Sequence, residues 1–235
     1  MPDIDLATSS VRDLNAALHA LTPKNNGDKL SNETLWRVIN PGGKHAIAAG
    51  LDFPARIEIE GPVGYYCAGM NKKGSVIVYG NAGTGVAENM MSGEVRVKGD
   101  ASQSAGATGV GGLLVIEGNA SARCGISMKG IDIVVKGSIG PMSAFMAQAG
   151  NLVVLGGAGE NLGDSIYEAR LWVRGPVKSL GADCIEKEPT GEERALLADV
   201  LGRAGINGEA RPEEFRLYGS ARTLYHFHID NAGAY

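Results

Sequence analysis

The chain has 235 residues, 44% hydrophobic and 20% charged, with a formal net charge of −4. That balance describes a soluble folded protein, either one elongated repeat domain with flanking segments or two small domains. It gives no electrostatic reason to expect nucleic acid or an anionic membrane as a partner. No apolar run reaches the ~18 residues of a membrane span. The acidic start Met1-Pro2-Asp3-Ile4-Asp5 lacks an apolar signal core, so a cytoplasmic protein is expected.

Residues 8 to 21 predict an amphipathic helix with Val11, Leu14, Leu18 and Leu21 on one face. Ser10 and Asp13 resemble a capping box, and Pro23 with the stretch 24–28 ends the helix. Trp36, Val38 and Ile39 are apolar enough to cover one end of whatever follows. Residues 1–41 are therefore read as an N-terminal helix and cap.

The next stretch is a ruler. Glycine stands at 61, 80, 99, 118, 137, 156 and 175, an unbroken period of 19 residues, with Gly42 on the same grid. Four residues before each ruler glycine stand Ile57, Val76, Val95, Leu114, Ile133, Leu152 and Leu171. Two before it stand Ile59, Val78, Val97, Ile116, Val135, Val154 and Val173, all β-branched. Seven after it stands only Ala or Gly, from Ala68 to Ala182. Each copy reads as a short strand with period-two burial, a glycine turn and a tight corner. A βαβ unit needs roughly 30 residues and a propeller blade ~40–45, so neither fits. One lap of a parallel β-helix does, with laps stacked at ~4.8 Å and equivalent positions in ladders. The expectation is an all-β chain, a right-handed parallel β-helix of about seven laps over residues 42–182.

After Ala182 the ruler fails. Thr190 and Glu193 form a capping box behind Pro189, and Ala195, Leu196, Val200 and Leu201 mark a helix of roughly 12 residues ending near Gly202 or Gly205. Pro212 to Phe215 suits one more helical turn. Leu217 to Tyr235, with Tyr218, Tyr225, Phe227 and Tyr235, reads as a docking tail, completing a C-terminal extension over residues 183–235.

Candidate chemistry is thin. Gly83-Thr84-Gly85, Gly106 to Gly112 and Gly157-Ala158-Gly159 mimic nucleotide-binding loops. They lack the following helix and the acidic residue ~20 positions on, so they read as repeat turns. His226 and His228 would share one face of a strand, with Asp230 as a third ligand if a metal bound, but the aromatic docking tail is the preferred reading. His19 reads as a surface residue, and His45 has no ligand-like neighbour. Cys67, Cys124 and Cys184 are odd in number and lack CxxC spacing, which argues against a disulfide framework and against zinc or iron–sulfur ligation. Gln103, Arg123 and Glu160 lie four to five residues past a ruler glycine, where they either line a groove or are ordinary polar turn residues. No residue is assigned as catalytic, cofactor-binding or metal-binding.

Gly74 to Gly83, Gly93 to Ala101 and Gly150 to Gly159 resemble the GXGXG repeat domain, known as the C-terminal β-helix of the glutamate synthase large subunit and from one of the subunits of formylmethanofuran dehydrogenase. The resemblance covers residues 42–182, though Gly99-Asp100-Ala101 departs from the paired glycines. Tyr65 to Asn71 and Met90 to Gly93 look most like the GXGXG subunits of N-methylglutamate synthases, in which the glutamate synthase architecture is split over three chains. The resemblance implies a non-catalytic subunit beside an amidotransferase-like subunit and a synthase-like subunit carrying FMN and an iron–sulfur cluster. It implies a transferase reaction of methylamine with glutamate to give N-methylglutamate and ammonia. The small subunit of another split glutamate-synthase-like complex is a second reading. A self-sufficient β-helix enzyme is a third, disfavoured because the ladders hold no aligned set of acids. A purely structural oligomer former is a fourth.

One row breaks the outward-polar pattern. Three residues before the ruler glycine, Val115, Val134, Val153 and Trp172 stack into an apolar outward stripe. Such a stripe calls for a cover, either the helix or tail of this chain or a partner subunit.

Overall fold

The computed structural model describes residues 3–21 and 35–222. The chain winds as a parallel β-solenoid. Strand β1 (Asp3–Asp5) and helix α1 (Val11–His19) precede β2 (Leu35–Ile39). The ruler strands follow as β3 (Arg56–Glu60), β4 (Ser75–Val78), β5 (Glu94–Val97), β6 (Leu113–Ile116), β7 (Lys129–Val135), β8 (Ala149–Val154) and β9 (Arg170–Val173). They pair in parallel, each with the strand one 19-residue lap on, as in Val76↔Val95↔Leu114. A second ladder of single bridges runs Val63, Ala82, Ala101, Ala120, Ile139, Ala158 and Val177 along another side. Both predicted inward rows, Ile57 to Leu171 and Ile59 to Val173, are fully buried.

The third side is built from left-handed backbone. In the interval from Gly61 to Gly80, Tyr66, Ala68 and Met70 have φ of 58°, 53° and 55°, and the same three places recur in later laps, as at Met142, Ala144 and Met146. Side chains at such φ are disfavoured by roughly 1–2 kcal/mol each. Hydrogen bonds to the laps on either side hold them: Tyr66 N–H donates to Thr84 O (2.9 Å) and Ala68 N–H to Ile47 O (2.9 Å). The central place admits only Ala or Gly because it faces the core. A Cβ on Gly106 would meet Ile133 Cδ1 at 2.5 Å.

The ruler glycines have a different reason. Among the seven, only Gly61 has positive φ (135°). At Gly99, Gly118 and Gly137 a Cβ would collide with the side-chain oxygens of Asn81, Asp100 and Asn119 in the preceding lap. Those oxygens accept from the next lap's backbone, Asn81 Oδ1 from Asp100 N–H (2.9 Å) and Asn119 Oδ1 from Ser138 N–H (2.9 Å). Glycine thus leaves room for a ladder of side-chain-to-backbone bonds. The ladder stops where neither party is needed: Gly157 has no side chain to offer, and Pro176 above it has no N–H to satisfy.

The N-terminal end corrects the sequence reading twice. Gly42 is off register: Ile39 pairs with Glu60, so Asn40 (φ 53°) holds the place of Gly61 and this interval is 21 residues long. Residues 35–39 cover that end not as a separate cap but as a further rung of the column, and β1 adds another beyond it. Helix α1 is shorter than predicted, with Ser10 Oγ accepting from Asp13 N–H (3.1 Å). It is fixed to the first turn by Asn15, whose amide donates to Ala46 O (2.8 Å) and accepts from Ala48 N–H (3.0 Å).

At the other end, β10 (Cys184–Lys187) leads through the full Thr190–Glu193 capping box into α2 (Gly191–Arg203). A 3-10 turn (Pro212–Glu214) then delivers β11 (Arg216–Ser220). Strand β11 inserts antiparallel between β9 and β10. Leu217 and Tyr218, read from sequence as the start of a tail, are therefore buried sheet residues. Tyr225, Phe227, Tyr235 and the His226/His228/Asp230 group lie outside the described residues.

The outward stripe is covered internally. Leu113, Val115, Val134, Val153, Leu155 and Trp172 form a second core with Leu197, Val200 and Leu201 of α2, and with Ile206, Ala210, Phe215 and Leu217 after it. Val115, Val134, Val153 and Trp172 are fully buried.

Candidate functional site

Glu117 and Arg96 join the two cores. Arg96 is in β5 on the row of the stripe, beside Val115, and Glu117 directly follows β6. Arg96 donates to Glu117 (3.0 Å) and to the Ala204 carbonyl (2.9 Å), closing the C-terminal end of α2 where the helix dipole favours a cation. Lys98 (3.3 Å) and Lys136 (3.1 Å) also reach Glu117, and Lys136 reaches Glu209 (2.8 Å) beyond the helix. Burial pushes the Glu117 carboxyl up, but hydrogen bonds from Lys136, Arg96 and Lys98 outweigh it and hold it at about 2. These groups are mutually neutralised and fasten α2 to the column.

The sequence candidates do not converge. Gln103, Arg123 and Glu160 lie on different laps of the left-handed side, and none of their side chains makes a hydrogen bond or ion pair among the described residues. The glycine clusters are turns. Gly112 (φ 86°) leads into β6 and not into a helix, and a Cβ on Gly111 would meet Met91 O at 2.6 Å. His19 Nε2 lies 2.8 Å from Ala49 O. His45 accepts from Tyr65 N–H at Nδ1 (2.9 Å) and stacks on the Tyr65 ring with centroids 4.6 Å apart. Burial pushes the Cys67 and Cys124 thiols up to about 12 and Cys184 up to about 11, which leaves them weak nucleophiles. The described residues hold no group of three or more His, Cys, Asp or Glu placed to share a metal ion. A cleft of about 440 Å³ lies at the starts of β8 and β9 beside the end of β11, but its Arg170 is paired with Glu193 (3.4 Å) and its Arg222 with Asp183.

One surface stands out instead. Nine large hydrophobic side chains among the described residues are exposed, and seven of them fall in one part of the lap: Tyr65, Tyr66, Met70, Met91, Val110, Met146 and Tyr167. All seven fall four to eleven residues after a ruler glycine, on the left-handed corner and the bend leaving it. Exposed apolar side chains concentrated in one part of a repeat are candidates for an interaction surface, whereas singly scattered ones are ordinary. Sequence reasoning missed it because the rows are irregular: Met70 aligns with Asn89, and Met91 with Lys72. The available signal was the excess of Met and Tyr in turn positions that usually carry polar residues.

No helix among the described residues is long and apolar enough to cross a membrane. No family model matches the chain. The chain is 63% identical over 235 residues to Protein GlxC of Rhizobium meliloti (strain 1021), a match that spans the whole of both sequences. At that identity over the full length, this chain belongs to the GlxC family.

Proposed function

We propose that the chain is a non-catalytic structural subunit of a split glutamate-synthase-like complex, specifically an N-methylglutamate synthase joining methylamine to glutamate with release of ammonia. The observation that carries a subunit role is the apolar side of the column, from Tyr65 to Tyr167, in a chain whose thiols are buried and whose best-placed charges are paired with one another. The GXGXG resemblance of Gly74 to Gly83 and Gly150 to Gly159 supports the choice of complex. On this reading an amidotransferase-like subunit and a synthase-like subunit bearing FMN and an iron–sulfur cluster are the partners, and the complex works in the cytoplasm. This chain then supplies shape and contact area.

The experiment is co-expression with the two candidate partners, followed by affinity purification through this chain and assay with methylamine and glutamate. The expected result is a three-chain complex with flavin absorbance that forms N-methylglutamate. A complex active only on another amine would move the chain to a different split synthase. Turnover by this chain alone would overturn the structural role.

A further inference from the structure

We propose that Asn207 is a site of spontaneous deamidation, one that alters the loop locking α2 over the apolar stripe. The loop after α2 holds Ile206 and Ala210 in the second core. Between them the chain makes a β-turn closed by Glu209 N–H donating to Ile206 O (2.8 Å), with Asn207 and Gly208 as its two central residues. Both are exposed. No hydrogen bond engages the Asn207 side chain or the Gly208 N–H among the described residues. Space around Gly208 is open: a Cβ there would meet nothing within 4 Å. Asn207 is the only described asparagine followed by glycine.

The chemistry needs only water. The Gly208 nitrogen, losing its proton to solvent base, attacks Asn207 Cγ. The Cγ–Nδ2 bond breaks and ammonia leaves, giving a succinimide. Water then opens the ring at either carbonyl, yielding aspartate or isoaspartate. A side chain on residue 208 would hinder the attack, and a hydrogen-bonded N–H would withhold the nucleophile; neither obstacle is present.

The product adds a carboxylate two residues from Glu209, whose side chain is held by Lys136 (2.8 Å). Isoaspartate also inserts one extra carbon into the main chain between Ile206 and Glu209, two residues tied to each other and to the column. The turn cannot keep both its closing hydrogen bond and the seating of Ile206.

The test is peptide mapping by mass spectrometry after incubation of the folded protein at mildly alkaline pH, with isoaspartate detected by an isoaspartyl methyltransferase. Conversion at Asn207, with Asn119 and Asn161 unchanged, is expected. Gly208→Ala should slow it several-fold without changing the fold. The isoaspartate form should melt below Asn207→Asp, which carries the charge without the extra carbon. Persistence of the Asn207 amide while a free peptide of the same sequence converts would overturn the proposal. So would equal conversion rates in the parent and Gly208→Ala.

Discussion

Asn119 and Gly137 are complementary across one lap of the column. The Asn119 side-chain oxygen accepts from Ser138 N–H (2.9 Å), and in doing so fills the space where a Cβ on Gly137 would lie. Gly137→Ala should destabilise by about 1–3 kcal/mol through overpacking. Asn119→Ala should cost about 0.5–1.5 kcal/mol for the lost bond. The double variant should cost less than the sum, because removing the amide relieves part of the clash, while Gly118 O at 2.7 Å remains in the way. Urea denaturation of the four proteins checks this, and strict additivity would contradict the proposed interlock.

Ile116 is fully buried in the middle of the primary core, with Val97 and Val135 as its ladder neighbours. Ile116→Ala should cost about 2–5 kcal/mol by leaving a cavity. Ile116→Asp should prevent folding, since its carboxylate would be buried without a partner. A soluble Ile116→Asp protein with the parent's melting temperature would place that residue outside the core.

Val134 and Val153 face away from the primary core yet are fully buried beneath α2 and its following loop. Val134→Asp and Val153→Asp should therefore destabilise the isolated chain. Met91→Asp and Met146→Asp, on the exposed side, should leave its melting temperature unchanged and weaken capture of the proposed partner subunits. Thermal melts paired with co-purification separate the two sides; unaltered assembly in both Met variants would remove that side from the interface.

Glu117 gives a pH signature. Its carboxyl is held at about 2 against an ordinary 4.5, so the folded state favours the ionised form more strongly than the unfolded state does. The resulting stability is fully present above pH 4.5 and is lost as pH falls toward 2. Glu117→Gln should melt below the parent at neutral pH, and the gap should close over that acid range. Melting curves across pH 2 to 7 test it; a gap independent of pH would assign the loss to packing alone.

The two inward rows, the small-residue corner and the ruler were legible because the 19-residue period holds through the paired inward positions from β3 to β9. Helix α2 was legible because Thr190 and Glu193 form a local capping signal. Rung β2 was not, since its interval is 21 residues and the surplus is absorbed in the turns after Asn40. Strand β11 was hidden for another reason: Arg216 to Ser220 has no lap partner in sequence, and its pairing with β9 accompanies the packing of Leu217 into the second core beside α2. The stripe from Val115 to Trp172 announced that something covers it, but an alternation pattern carries no label for the cover. The exposed side escaped notice because its apolar residues give way to polar ones in the laps between, as Met70 does to Asn89.

The interlaced rungs also set how this molecule can change size. From β3 to β9 every strand, bridge, left-handed corner and Asn–Gly contact is tied to its equivalent one lap away. Gaining or losing a few residues within a strand would put all of these out of step together. A whole lap would not. Across the paired strands from β3 to β9 length is therefore set in steps of 19 residues, and each step moves the two ends apart or together by ~4.8 Å; extra residues are taken up in turns, as in the 21-residue interval before β3. Whatever grips both ends is held at a distance counted in whole laps.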